Sequence, residues 1–124
     1  MKLEILKFTF VASLAGLLFC NCGRNSSSAP PPLSEEEIPA AFSTEFKNSD
    51  KETQDAANRY VTDVKNHDLP AAFDDIQQLL HTPSLTEEQR VVVARSLRTT
   101  SQKLHDAADN GDEKAKQAIA SFSR

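Results

Sequence analysis

The chain has no tryptophan, one tyrosine, three glycines and two cysteines in 124 residues, and both cysteines, Cys20 and Cys22, precede Gly23. Their placement excludes a disulfide scaffold for the rest of the chain, which has no thiol to cross-link. Beyond the cysteines the only glycines are Gly23 and Gly111, too few for the tight hairpins of a sheet protein. No segment alternates apolar and polar residues over strand length, so the expected class is all-α. Also missing is a run of about 20 apolar residues, the length that a bilayer-crossing helix needs. Basic clusters are absent: from Gly23 onward 12 Lys and Arg stand against 17 Asp and Glu. Since affinity for phosphate backbones comes chiefly from Lys and Arg, no nucleic-acid partner is expected.

What is there first concerns address. Lys2 and Lys7 precede or border an uncharged, mostly apolar run from Phe8 to Phe19, FTFVASLAGLLF. Such a run is short for a span and has the size of a signal-peptide h-region, so the expectation is an exported protein with residues 1–22 as its signal. Residues 23–33 include Ser26-Ser27-Ser28 and Pro30-Pro31-Pro32, a composition that makes a flexible, then extended linker. Residues 34–124 are long enough for one small domain and not for two.

Leu17 lies three residues before Cys20. The stretch Leu17-Leu18-Phe19-Cys20 resembles the lipobox of bacterial lipoproteins, in which the cysteine becomes a lipidated N-terminus after cleavage. That family has Gly, Ala or Ser immediately before the cysteine; here Phe19 precedes Cys20 and Asn21 precedes Cys22. Two routes follow. Either Cys20 or Cys22 carries a lipid that holds the domain at a membrane facing the periplasm, or ordinary cleavage near Gly23 releases a soluble periplasmic protein.

The domain opens on Ser34-Glu35-Glu36-Glu37, a capping-box pattern. Pro39 follows closely, so a short or broken helix is expected through about Phe46. A second helix is expected over about 51–66, with Ser49 or Asp50 as cap and Ala57, Tyr60, Val61 and Val64 on one stripe. Asp68-Leu69-Pro70 reads as the start of a helix over about 69–81. Its apolar stripe carries Leu69, Ala72, Phe73, Ile76, Leu79 and Leu80. Thr86 to Gln89 is another capping box and opens the longest helix, about 87–110, with Val93, Leu97, Thr100, Leu104 and Ala108 inward. Gly111 ends it and Asp112 caps a last helix over about 113–122. Short links make a three- to four-helix antiparallel bundle the expected architecture.

Two fragments resemble helical-repeat families. Asp68, Leu69, Ala72, Ile76, Leu79 and Pro83, after the helix bearing Tyr60, are similar to the second helix of a tetratricopeptide unit. Ala107-Ala108-Asp109-Asn110-Gly111, with Ala115 and Ile119, is similar to the corner of Sel1-like repeats. Each covers about a quarter of the chain and implies an αα-hairpin of the kind that docks other proteins. Arrays need about three repeats and no third copy is found, so a solenoid is not expected. The layout also resembles small exported helical proteins of bacteria, which implies no chemistry.

Sites for catalysis are sparse. His67 and His81 flank one helix of roughly 20 Å and share no ion. His105 and Asp109 stand four apart on one helix face, two ligands where a closed zinc site needs four. Asp74-Asp75, Glu87-Glu88 and Glu35 to Glu37 lie at helix starts or on polar faces, not in the paired environments that acid-base chemistry needs. There is no glycine-flanked serine elbow and no glycine-rich phosphate loop. No enzyme activity, cofactor or metal is expected.

Charge is unevenly spread. Between Ser34 and Glu88 there are 13 acidic and 4 basic residues, and from Gln89 to Arg124 there are 7 basic and 4 acidic. The asymmetry has two readings: the basic long helix lies against acidic neighbours within the fold, or Arg95, Arg98 and Gln102 on its outer flank meet another molecule. The expectation is therefore a membrane-anchored adaptor or interaction module, with an envelope protein or a second copy as partner. The alternative is a soluble periplasmic binder of a small ligand or metal near His105.

Overall fold

The computed structural model describes residues 29–124. Cys20, Cys22, the apolar run and the first part of the Ser/Pro-rich stretch lie outside the described residues. The domain is an all-α bundle: α1 (Ile38–Glu45), α2 (Lys51–Lys65), α3 (Leu69–Leu80), α4 (Glu87–Asp109) and α5 (Glu113–Phe122), with no strand among the described residues. These are the short first helix and the four longer helices expected from the sequence. Pro39 does not break the first segment, because it sits in the opening turn of α1, where its missing N–H has no intrahelical partner to lose.

Local chemistry starts each helix. The Ser34 N–H donates to Glu37 Oε2 at 2.9 Å and the Glu37 N–H to Ser34 Oγ at 3.3 Å, one turn ahead of α1. The Ser34 N–H, and after it the Ser34 hydroxyl, hold the Glu37 carboxyl below its ordinary value. Asp50 accepts from Thr53 N–H at 2.9 Å and Thr53 Oγ1 at 2.8 Å, which lowers the Asp50 carboxyl in the same way. Asp68 accepts from Ala71 N–H, and Asp112 from Lys114 and Ala115 N–H. Thr86 and Gln89 form the reciprocal box that opens α4. Each carboxylate or hydroxyl satisfies donors that the helix leaves without a partner.

Two corners share one geometry. After α2 the His67 N–H donates to Val64 O and the Asp68 N–H to Asp63 O. After α4 the Gly111 N–H donates to Ala108 O and the Asp112 N–H to Ala107 O. Both are Schellman turns that need a left-handed residue: His67 at φ 56° and Gly111 at φ 99°. In each, the following aspartate caps the next helix. Arg59 and Asp75, eight residues either side of His67, meet at 3.9 Å, as antiparallel α2 and α3 require.

Helix α4, about 35 Å long at 1.5 Å per residue, serves two cores. The larger gathers Ile38, Phe42, Tyr60, Ile76, Leu79 and Val93 with Leu33 and Leu85; the smaller joins Leu104 and Ala108 to Ala115 of α5. Phe42 stacks on Phe46 and tilts against Tyr60, both at 5.0 Å between centroids. Phe73 and Phe122 meet edge to face at 4.7 Å, joining α3 to α5. Gln89 finishes the α4 start from its other side: its amide donates to Glu45 O at 2.9 Å and Ser49 Oγ at 2.8 Å, pinning the α1–α2 link.

Tyr60 has no exposed surface, and its hydroxyl lies 2.8 Å from Thr100 Oγ1. Thr100 spends its own proton on Ser96 O at 3.0 Å, so Tyr60 is the donor. Burial pushes the phenol up to about 12. Below the ordinary value near 10 the phenol is protonated whether the chain is folded or not. Above it only the unfolded chain ionises, so stability is lost from about pH 10 through pH 12. With one tyrosine and no tryptophan, absorbance near 295 nm reads this group alone. The expected titration midpoint of the folded chain is about 12; a midpoint near 10 with helicity intact would contradict the burial. Tyr60→Phe should cost about 1 kcal/mol below pH 10 and remove the alkaline slope.

The corners give a second expectation. Gly111→Ala should cost about 1 kcal/mol in urea unfolding, from backbone strain alone, since no atom lies within 4 Å of an added Cβ. His67→Gly should stabilise by roughly 0.5–1 kcal/mol by relieving the same conformation in a β-carbon-bearing residue. A Gly111→Ala chain as stable as the parent, or a His67→Gly chain no more stable than it, would contradict the shared geometry.

Candidate functional site

Residues 29–33, the end of the stretch that composition marks as a linker, lie along α4. The Arg98 Nη1 donates to Pro30 O at 2.9 Å and to Ala29 O at 3.4 Å, and Arg95 Nε donates to Pro31 O at 2.7 Å. Thr99 Oγ1 donates to Leu33 O, and the Leu33 side chain is buried in the larger core. Lys103 and Glu35 close the sequence with an ion pair at 2.9 Å. Arg95, Arg98, Thr99 and Gln102 recur at i, i+3, i+4 and i+7, which places them on one face of the helix. Proline explains why this segment lies down this way. It has no N–H, so its carbonyls are the polar groups on offer, and Arg and Thr supply donors.

Beside this strap runs an open groove of about 660 Å³, lined by Pro32, Phe73, Gln77, Leu97, Arg98 and Gln102. Two of the three residues singled out from the sequence, Arg98 and Gln102, therefore share a wall, while Arg95 is committed to Pro31. Neither arginine has a carboxylate within ion-pair distance among the described residues; the ion pair joining the basic helix to the acidic half is Lys103–Glu35. Sequence reasoning missed Thr99, Phe73 and Pro32 as members of this face. Their shared signal is Pro-rich chain preceding a helix whose outer flank carries donors at helical spacing.

The histidines do not converge. His67 forms the α2–α3 corner, His81 Nδ1 lies 2.7 Å from Gln77 O at the end of α3, and His105 is exposed on α4. No group of three or more His, Cys, Asp or Glu that could hold a metal exists among the described residues. An acidic pair that the sequence did not flag faces across α2 and α3. Partial burial, then the hydrogen bond and charge of Asp75, raise the Asp63 carboxyl above its ordinary value, and the Arg59 charge opposes the rise. The neighbouring depression of Asp55, Asn58, Arg59, Thr62 and Asp63 is shallow surface. The rise is what two carboxylates on facing helices impose on each other when one is partly withdrawn from water.

No protein-family model matches the chain, and no curated protein or solved structure matches it significantly.

Strap and domain make separable contributions to stability. Leu33→Ala should cost about 2–4 kcal/mol in urea unfolding, because it empties a core position. The exposed ends of the arginine bonds should make Arg95→Ala and Arg98→Ala cost about 1 kcal/mol or less each. A Leu33→Ala loss below about 0.5 kcal/mol would mean that the segment is not anchored there.

Proposed function

We propose that the protein is an exported, membrane-anchored helical adaptor without catalytic activity, which contacts an envelope protein or a second copy through the α4 face. The observation that carries this reading is the open groove walled by Arg98 and Gln102 at the place where the chain from Cys20 reaches the bundle. Ala29 follows Cys20 by nine residues, a reach of roughly 30 Å when extended. A domain held that close to a membrane meets neighbouring envelope proteins at raised effective concentration, so weak contacts suffice. No helix among the described residues is long and apolar enough to cross a membrane, and attachment in this reading falls to a lipid on Cys20 or Cys22.

Intact mass of the mature protein from membrane and soluble fractions tests the anchor. The expected result is a diacylglycerol-type increment on membrane-fraction protein that Cys20→Ser abolishes and Cys22→Ser does not. An unmodified soluble mass beginning near Gly23 would overturn anchoring and favour the soluble periplasmic binder.

A further inference from the structure

We infer that Arg95, Arg98 and Thr99 of α4 form a binding site for an extended, proline-rich polypeptide backbone, occupied in cis by the chain's own residues 29–33. The inference deepens the adaptor reading by naming the class of partner, a proline-rich segment in extended conformation, and its value as a partner site rests on that reading. Three side chains of one helix face donate to the carbonyls of Ala29, Pro30, Pro31 and Leu33. An extended proline-rich chain makes no internal hydrogen bonds and presents its carbonyls outward. Its prolines offer no donors, and the α4 side chains offer no acceptors apart from the Thr99 hydroxyl, so the two surfaces are complementary in kind.

The recognition is of backbone and shape. Apart from Leu33, the strap residues are exposed, so the side chains of Ala29, Pro30 and Pro31 are not enclosed. Any segment of similar form with an apolar anchor fits, and the groove beside Pro32, with Phe73 and Leu97 in its walls, extends the track past the strap. Arginine suits the task because its planar guanidinium holds several N–H groups in fixed directions; the Arg98 Nη1 alone serves both Pro30 O and Ala29 O. The strap is covalently joined to the domain, so a partner in trans competes against an effective concentration in the millimolar range.

The test uses the full chain in detergent with Cys20→Ser and Cys22→Ser, which leaves it free of thiols. Spin labels on Ala29→Cys and His105→Cys, both exposed positions, report the strap by electron-electron distance measurement. The expected result is one narrow distance, broadened in Arg95→Ala/Arg98→Ala and shifted part-way by Arg98→Lys, which keeps the charge and loses the planar N–H geometry. Single arginine losses should lower the docked-to-released ratio by up to about fivefold. A synthetic peptide, NSSSAPPPLS, added at several millimolar should convert the narrow distance to the broad one, and NSSSAGGGLS should not. A broad distance in the parent background, or a broadening by both peptides alike, overturns the proposal. So does a narrow distance that neither the arginine changes nor the proline peptide disturbs. Helicity of each variant by circular dichroism separates release from unfolding. The readout needs no membrane and no lipid, so its failure is distinct from failure of the anchoring.

Discussion

The hydroxyl of Tyr60 meets Thr100 inside the bundle, and the middle of α4 is organised around that bond. Helix α4 closes the larger core at Val93 and the smaller at Leu104 and Ala108, so its centre must be buried to keep the two continuous. Yet that centre carries Ser96, Thr99 and Thr100, all buried. A hydroxyl taken from water without a partner costs about 1–3 kcal/mol. Tyr60 answers this for Thr100, and Leu33 O for Thr99; the Ser96 hydroxyl has no partner among the described residues. Two chain segments distant in sequence, α2 and the strap, are thus drawn to the same two turns of α4.

That constraint ties the strap to the fold through Leu33 and leaves the rest of it on lighter terms. Leu33 fills core volume and its carbonyl accepts from Thr99, so its departure exposes apolar surface and leaves the Thr99 hydroxyl only the longer bond to Arg95 O at 3.4 Å. Residues 29–31 are different. Their carbonyls and the guanidinium groups of Arg95 and Arg98 find water when they separate, so release costs little. The gradient from anchored Leu33 to solvent-facing Ala29 follows from burial alone.

Helix starts were legible because their chemistry is local: Asp50, Asp68, Thr86 with Gln89, and Asp112 all cap as their spacing foretells, whereas the Ser34–Glu37 box forms one turn ahead of α1, whose N-cap Glu37 makes no side-chain cap bond. The inner face of α4 was legible only in part. Leu97 looks like core by hydropathy but is half-buried, whereas Ser96 and Thr99 are buried. Hydropathy misleads there because a threonine is buried when a carbonyl arrives from elsewhere, and Leu33 is 66 positions away. The same long range hid the strap, since proline-rich composition says how the chain is shaped and not what it lies on. The facing of Asp63 and Asp75 needed the antiparallel register of α2 on α3, which emerges only once His67 turns the chain.

The charge asymmetry takes on a different meaning once partners are known. Had α4 neutralised the acidic half of the domain, its arginines would be committed to carboxylates and unavailable to anything else. Instead Arg95 and Arg98 spend their donors on carbonyls, which absorb hydrogen bonds without cancelling charge. Lys103–Glu35 is the pair that joins the two halves, with both side chains partly open to solvent. Pairs of that exposure contribute about 0–1 kcal/mol and are screened by salt. The fold is therefore held by its two cores, its caps and the Tyr60 and Gln89 contacts. Positive charge on α4 persists at the surface beside the groove, where it acts on whatever approaches and not on the stability of the bundle.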